Sequence, residues 1–508
     1  MDKNKKIVFN TIILYAKMLI TMAFTLLSTR WILEALGASD FGIYNLIAGI
    51  ITMLSFLNTA MSVGTQRNLS FLLGKGEIEA LKETFACSIQ IHIGLGLIIF
   101  ILLESVGIYY LNNALNIPQD RMLAANTILH IMSISMFITI AGVPYLASIN
   151  SHEDMIVVAI TNIFEAVWKF ALALFLLSYT GDRLITYAIL ILVMTACTFL
   201  AMLFYSLRHY EETRISLLKK YSISRIKYLL NYSTWNVVGS LGLLIKGQGI
   251  AFLLNTFSSV VVNAAYGVAQ QVNGQMSFFS NSVIRAFNPQ IISSEGAGDH
   301  ERMIRLSFMS CKISTTLLFL IIVPLMFNLD LILNLWLKNV PELSIEFTFL
   351  ILVHSIIYQM YHGMELSIHA SGHIKFFSVA ACLLNILAIP ISYILLKMEF
   401  PLITVLFVSI VCNIANMYNV AYNSQKNCGI KITTFYNHVV LPLCVLFVCS
   451  MGMCYVVTVF ASGFSALFFS YMFNSILTIF LCYKILLNKT EKDVAVNLVV
   501  GKILKNKL

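Results

Sequence analysis

Charged side chains are scarce in this 508-residue chain: Asp, Glu, Lys and Arg together make up 11% of it, while 59% is hydrophobic. An ordinary soluble domain carries roughly 25% charge, so a soluble globular protein is excluded. Long loops are also missing. None exceeds about twenty residues by our span reading, which leaves no room for a soluble catalytic domain on either face. The sequence has no HExxH, no paired metal-binding cysteines, no P-loop and no GxSxG elbow, so ATP hydrolysis and the familiar hydrolytic chemistries are not expected. The ten cysteines are scattered. Cys444, Cys449 and Cys454 are the closest set, and steps of five on a helix turn them away from one another. They read as small core residues, and no disulfide framework is implied. MDKNKK leads directly into a long apolar run without a small-residue cleavage site, which reads as a retained first span.

What the chain has instead is apolar runs long enough to cross a bilayer. We place spans at 7–35, 41–73, 84–108, 122–148, 155–179, 184–207, 226–254, 262–292, 303–327, 344–370, 375–396, 401–424, 432–460 and 464–487. The expected fold is an all-α polytopic membrane protein of about fourteen transmembrane helices. Lys and Arg number 22 in one alternate set of loops and termini. The opposite loops hold only Arg121, Arg183, Lys338 and Lys397. That bias puts both termini in the cytoplasm, and it accounts for most of the net charge of +9 without a nucleic-acid partner.

An internal repeat divides the spans. Gly74, Gly76, Glu77 and Glu79 precede Gly296, Gly298, Asp299 and Glu301 by 222 residues, and the same offset carries Tyr44 onto Tyr266. Near that offset Ser151-His152 matches Gly372-His373. Six spans per repeat implies two parallel six-helix lobes about a pseudo-two-fold axis along the membrane normal, plus two extra helices. The expected division is 1–207 and 227–425 for the lobes, 208–226 for a basic cytoplasmic linker, 426–487 for the extra helices and 488–508 for a basic tail able to form an interfacial helix.

Span 8 is the least typical. Asn263, Gln270, Ser277, Asn281 and Asn288 fall in one arc of its helix, with Asn273 and Arg285 at the edges. Unsatisfied polar groups in hydrocarbon cost several kcal/mol each, so this face lines water, a partner helix or a polar cargo. Interhelical hydrogen bonding is the plainer alternative. Span 1 carries Asn10, Lys17, Thr21, Thr25 and Ser28 on one face. Span 2 carries Asn45, Thr52, Ser55, Thr59, Ser62 and Gln66, with Arg67 near its end. Span 7 carries Asn236, Ser240 and Lys246 in a glycine-rich run that permits bending or close approach. Lys17, Arg67, Lys246, Gln270, Asn273, Asn281 and Arg285 are therefore the candidate substrate-cleft residues. Cations suit a pyrophosphate, and carboxamides and hydroxyls suit sugars; snorkelling or carbonyl pairing is the alternative. Arg30 with Glu34, and Glu165 with Lys169, have i,i+4 spacing and read as locally neutralised pairs.

Span 10 offers a second constellation: Tyr358, Tyr361, His362, Glu365 and His369 lie within one broad face measured from His354. Glu365, His362 and His369 are candidates for binding H+ or Na+ as a coupling ion, against the alternative of a polar packing seam. No other cofactor is expected.

The stretches STRWILEALGASDFGIYNLIAGIITMLSFLN (28–58), the GKGE loop, NAAYGVAQQV (263–272) and FNPQI (287–291) resemble the polysaccharide flippase family of lipopolysaccharide and capsule gene clusters, within the multidrug/oligosaccharidyl-lipid/polysaccharide exporter superfamily. The resemblance covers nearly the whole chain. It implies a non-enzymatic flippase of the bacterial inner membrane that moves an undecaprenyl-pyrophosphate-linked oligosaccharide to the periplasmic leaflet by alternating access. It implies polysaccharide polymerase and chain-length proteins as partners, beside membrane lipids. The related peptidoglycan-precursor flippases have cavity arginines near the start of spans 1, 2 and 8, for which Lys17 and Arg285 are the regional counterparts. An ion-coupled multidrug exporter of the same superfamily is the first alternative, and it would favour an acidic or aromatic cavity. A membrane polysaccharide polymerase or ligase is the second, and it would carry a large outer loop.

Overall fold

Gly37 breaks the first helix in a computed structural model of the chain, which describes residues 3–113, 117–214, 223–258, 260–337, 340–486 and 492. Helix α1 (Lys3–Lys75) runs on both sides of it, and Gly37 alone takes φ 74°, ψ 167°, a conformation closed to residues with a Cβ. The remaining helices are α2 (Ile78–Leu102), α3 (Ile108–Asn113), α4 (Met122–Ser151), α5 (Met155–Ser178), α6 (Arg183–His209), α7 (Ile223–Phe257), α8 (Val260–Gly296), α9 (His300–Phe327), α10 (Leu329–Trp336), α11 (Ser344–Ser371), α12 (Lys375–Lys397), α13 (Thr404–Cys428), α14 (Ile432–Phe435), α15 (Leu441–Phe460) and α16 (Gly463–Leu481). A π-helical turn, Leu103–Gly107, joins α2 to α3, and another, Tyr436–Val440, joins α14 to α15. Eleven helices among the described residues are long and apolar enough to cross a membrane. The two halves of α1 and the polar α8 complete the fourteen spans expected, and the protein is an all-α polytopic membrane protein.

The chain forms two compact units. The first is Phe9–Val237 with Gly296–Gly298, so it takes in the start of α7. Its centre is α4, packed on α2 and α6, with α5 against both α4 and α6. Ile32, Leu36, Ile43 and Ile47 from the two sides of the Gly37 break bury themselves with Ile128, Leu129, Leu172 and Leu184. One end of this unit is laced by cations. Arg121 binds the Asp40 carboxylate through Nε (2.8 Å) and Nη2 (2.5 Å), and Asp182 through Nη1 (2.8 Å). Asp182 also caps α6 by accepting from the backbone of Leu184 and Ile185. Arg183 donates to the Ala35 carbonyl at 2.9 Å. Two of the four cations assigned to the outer loops are thus structural ties.

The second unit is Met1–Val8 with Val238–Glu295 and Asp299–Leu508. It repeats the packing of the first: α11 is central, against α9 and α13, and α12 packs on α13. Helices α15 and α16 are added to this plan and pack on α9. Asn474 and Tyr471 of α16 donate to the Phe319 and Ile321 carbonyls of α9. The glycine-rich run of α7 serves close approach: a Cβ on Gly242 would sit 2.6 Å from Cys382 Cα in α12. Gly363 brings α11 onto α9 in the same way, with Ser310 Oγ 2.1 Å from the position its Cβ would take.

Three features depart from the sequence reading. Helix α10 lies between spans 9 and 10, where no element was assigned; its LDLILNLW pattern is strongly amphipathic, enough for a two-turn helix. Helix α8 extends beyond both ends of span 8, to Val260 and Gly296. After α6 the chain makes a 3-10 turn, Glu211–Thr213, inside the stretch assigned as a basic linker. The basic tail at 488–508, apart from residue 492, and linker residues 215–222 lie outside the described residues, as do the side chains of Arg30, Asn45, Thr52, Ser55, Thr59 and Asn263.

Candidate functional site

Lys246 sits about six turns into α7, where glycines bracket it and α12 packs closely. Its side chain is 9% exposed. It borders a cavity of about 400 Å³ within the second unit, lined from α7 by Lys246 and Gln248, from α8 by Tyr266, Gln270 and Asn273, from α11 by His354 and from α13 by Ser409. The apolar wall comes from Leu243, Ile250, Leu350, Ile351 and Leu406. That volume is in the range of small-ligand sites, and the mixture of apolar wall and few polar groups is typical of them. Lys246 is the one cation in the lining, and no lining residue is acidic.

The polar groups of the cavity are only partly occupied with one another. Lys246 Nζ lies 3.3 Å from His354 Nε2. Gln270 Nε2 donates to the Tyr266 hydroxyl at 2.7 Å. Asn273 Oδ1 is buried and has no hydrogen-bond partner within the structure, so a water or a cargo hydroxyl is required to satisfy it. Ammonium, amide N–H and amide C=O are thus all presented to one space. Such a set can bind a group that is anionic in one part and rich in hydroxyls in another.

The seven proposed cleft residues separate. Lys246, Gln270 and Asn273 converge on the cavity. Asn281 (half-buried) and Arg285 (exposed) lie further along α8 and do not line it. Lys17 and Arg67 belong to the first unit. Lys17 is within electrostatic reach of Glu165, as is Lys169. The Glu165–Lys169 pair of the sequence reading is therefore a three-charge cluster, and Lys17 has a carboxylate nearby that spacing could not reveal. Arg67 lies apart from the cavity, near the far end of α1. It is 3% exposed, donates to Asn68 Oδ1, and lies over the rings of Phe71 and Tyr232 at 4.7 Å and 5.3 Å. These contacts hold the guanidinium inside its own unit, against the two ring faces.

The constellation on α11 also divides. Tyr358 donates to Glu365 Oε2 at 3.2 Å, and its ring lies 4.7 Å from that of His362. His362 Nε2 is 3.9 Å from the same carboxylate oxygen, and its Nδ1 is buried without a hydrogen-bond partner. His369 packs edge-on against Phe377 of α12. Tyr361 turns to α13 and donates to Asn413 Oδ1 at 2.6 Å, while Asn413 Nδ2 donates back to the His354 carbonyl at 2.8 Å. Asn413 escaped the sequence reading, as did Lys312 of α9. Lys312 is 1% exposed, and it and Glu365 both act on Cys311. A lysine inside the apolar run of span 9 was the available signal for it.

No family model and no curated protein matches this sequence. Solved structures do match the fold. A MATE protein in its bent conformation aligns with a TM-score of 0.73 at 13% identity, covering 86% of this chain and 96% of its own. The outward-facing conformation of a multidrug resistance MATE family transporter of the MOP superfamily aligns with a TM-score of 0.72 at 14% identity over 86% and 97%. A MOP superfamily transporter from Pyrococcus furiosus, described as having a binding pocket of reverse polarity that suggests a different function, aligns with a TM-score of 0.70 at 14% identity over the same shares. The chain has the fold of these transporters.

Proposed function

We propose that this protein is a flippase that moves an undecaprenyl-pyrophosphate-linked oligosaccharide from the cytoplasmic to the periplasmic leaflet of a bacterial inner membrane. It acts by alternating access, leaves its cargo chemically unchanged, and serves lipopolysaccharide, capsule or exopolysaccharide assembly beside a polymerase. The termini are cytoplasmic, as the loop charges favour. The observation that carries the reading is the cavity lining: one ammonium, three carboxamides and no carboxylate. Lys246 supplies a charge-assisted bond to a phosphate or an acidic sugar. Asn273, Gln270 and Gln248 supply donors and acceptors for hydroxyls. The lipid chain remains in the bilayer while the head group enters. Glu365 with His362 is the candidate site for a coupling H+ or Na+.

Multidrug export is the second reading, and it draws on the fold of the outward-facing multidrug transporter. A cationic drug would meet the ammonium of Lys246 without a compensating acid in the lining, which disfavours it. Leaflet-specific labelling of lipid-linked oligosaccharide in a deletion strain separates the two. Inner-leaflet accumulation, relieved by the wild-type gene but not by Lys246→Glu of normal abundance, is the expected result. Unaltered leaflet distribution in the deletion strain, together with increased sensitivity to cationic drugs, would overturn the flippase reading.

A further inference from the structure

The 3.3 Å contact between Lys246 Nζ and His354 Nε2 is not explained by cargo binding alone. An ammonium has three donors and no acceptor, so the lone pair of the imidazole Nε2 must be the acceptor, and His354 is neutral while this contact is made. A proton on Nε2 would set two like charges against each other in a site walled by Ile250, Leu350 and Ile351.

We infer that Lys246 and His354 form one proton-linked anion site, in which entry of an anionic sugar into the cavity draws a second proton onto His354. This rests on the anionic-cargo reading above. The incoming anion accepts from the Lys246 ammonium and offsets its charge. Nε2 is then released from its contact and can hold a proton, so that His354 becomes a second cationic donor to the anion. Geometry brings the two groups together. Asn413 of α13 ties the His354 carbonyl, and Lys246 and His354 both line the cavity. The other titratable groups around the pair do not supply that charge. Cys412 of α13 acts on Lys246, and Tyr266 of α8 borders the cavity. On α11, Tyr358, Tyr361, His362 and Glu365 follow in sequence. Glu365 is about 16 Å along the helix from His354 at the α-helical rise, and Lys312 of α9 acts with Glu365 on Cys311. No carboxylate lines the cavity itself.

The sign follows from linkage. If binding takes up a proton, affinity for the anion rises as pH falls through the imidazole range. The test uses the full-length protein in detergent and glucose 6-sulfate, whose ester does not titrate in this range, so any proton taken up comes from the protein. Titration calorimetry in two buffers of different protonation enthalpy gives the proton count directly. We expect uptake approaching one proton, and affinity that increases by up to about tenfold per pH unit between about pH 8 and about pH 5.5. His354→Gln keeps an acceptor for Lys246 and should bind with no proton uptake. Lys246→Gln should lose binding. Both variants are to be monodisperse by size exclusion before use. Wild-type binding without proton uptake, or undiminished uptake in His354→Gln, overturns the proton linkage and leaves the anionic-cargo reading intact. Absence of glucose 6-sulfate binding at every pH overturns both.

Discussion

Gly76 and Gly298 stand 222 residues apart and adopt the same left-handed backbone, φ 75° and φ 76°, one and two residues after the ends of α1 and α8. Each ends a long helix and starts the turn into the next, α2 and α9. A Cβ at either position would meet no neighbouring atom within 4 Å, so the requirement is conformational rather than steric. Gly76→Ala and Gly298→Ala should therefore each cost about 1 kcal/mol, by similar amounts, in thermal or denaturant unfolding of the purified protein. A large loss at one and none at the other would contradict the equivalence.

Gly363 makes the opposite demand. Its own backbone is helical, but Ser310 and the Ser307 carbonyl occupy the space a methyl group would need. Gly363→Ala should separate α11 from α9 and destabilise by about 1–3 kcal/mol. Gly274, with nothing within 4 Å of its Cβ position, is the matched control in α8. Gly274→Ala should be neutral or stabilising by up to about 1 kcal/mol. Differential scanning fluorimetry of the two variants checks the ordering.

The turn after α6 is tied to the α4–α5 connection through Glu212, which is 3% exposed. Its Oε1 accepts from Ser148 Oγ at 2.7 Å and lies 2.8 Å from His152 Nε2, while the His152 ring stacks on Tyr210 at 4.1 Å. Burial works to raise the pKa of this carboxyl, but the His152 and Ser148 hydrogen bonds outweigh it and hold the group below its usual range. A carboxylate depressed in the folded state contributes stability above its unfolded pKa and loses it as pH falls through the folded value. Acidification below the ordinary carboxylate range should thus loosen this turn. Limited proteolysis within 210–214 should accelerate in the wild type as pH is lowered, and Glu212→Gln should cleave readily at neutral pH with little further change. A Glu212→Gln profile identical to wild type would refute the assignment.

Arg121 holds two carboxylates, Asp40 and Asp182, near the Gly37 break. Asp182 is kept below its usual range: burial opposes this, and Arg121 together with the Ile185 and Leu184 amides prevails. Arg121→Ala leaves both acids without their shared cation and should cost about 1–3 kcal/mol, the scale of hydrogen bonds to charged groups. The side chains are a fifth to a third exposed, so solvent and salt reduce this. Adding salt should narrow the gap between variant and wild type in thermal unfolding.

Two cations on the expected polar faces should behave differently in export. Lys246 lines the cavity and Arg285 does not. Lys246→Gln should reduce export of lipid-linked oligosaccharide by at least about tenfold, the scale of one lost charge-assisted contact, and Arg285→Gln by much less. Equal losses at normal protein abundance would shift the anion site toward Arg285.

The repeat was readable in the sequence because glycines and acids at fixed turns record backbone requirements that recur with each lobe. The spans were readable because bilayer thickness imposes a length on apolar runs. Residues joined through space were harder. Nothing in the sequence places Tyr232 over Arg67, or Glu165 near Lys17, since those pairs join helices far apart in the chain. Periodicity put Tyr361 and Glu365 on one broad face, yet a helix buried on several sides sends neighbouring side chains to different partners. Tyr361 goes to Asn413 and Tyr358 to Glu365. Asn273 and Gln270 did share a space with Lys246, because a polar arc on a span that polar has few places to go.

Helix α16 is made after α9, yet it donates through Asn474 to a carbonyl of α9, 155 residues earlier. During synthesis α9 must therefore sit in the bilayer for some time without its final neighbours. A chain stopped before Gly463 would leave that flank of α9 facing lipid, with the Phe319 and Ile321 carbonyls stripped of their outside donors. Quality-control proteases that survey half-assembled bundles would find their first target there.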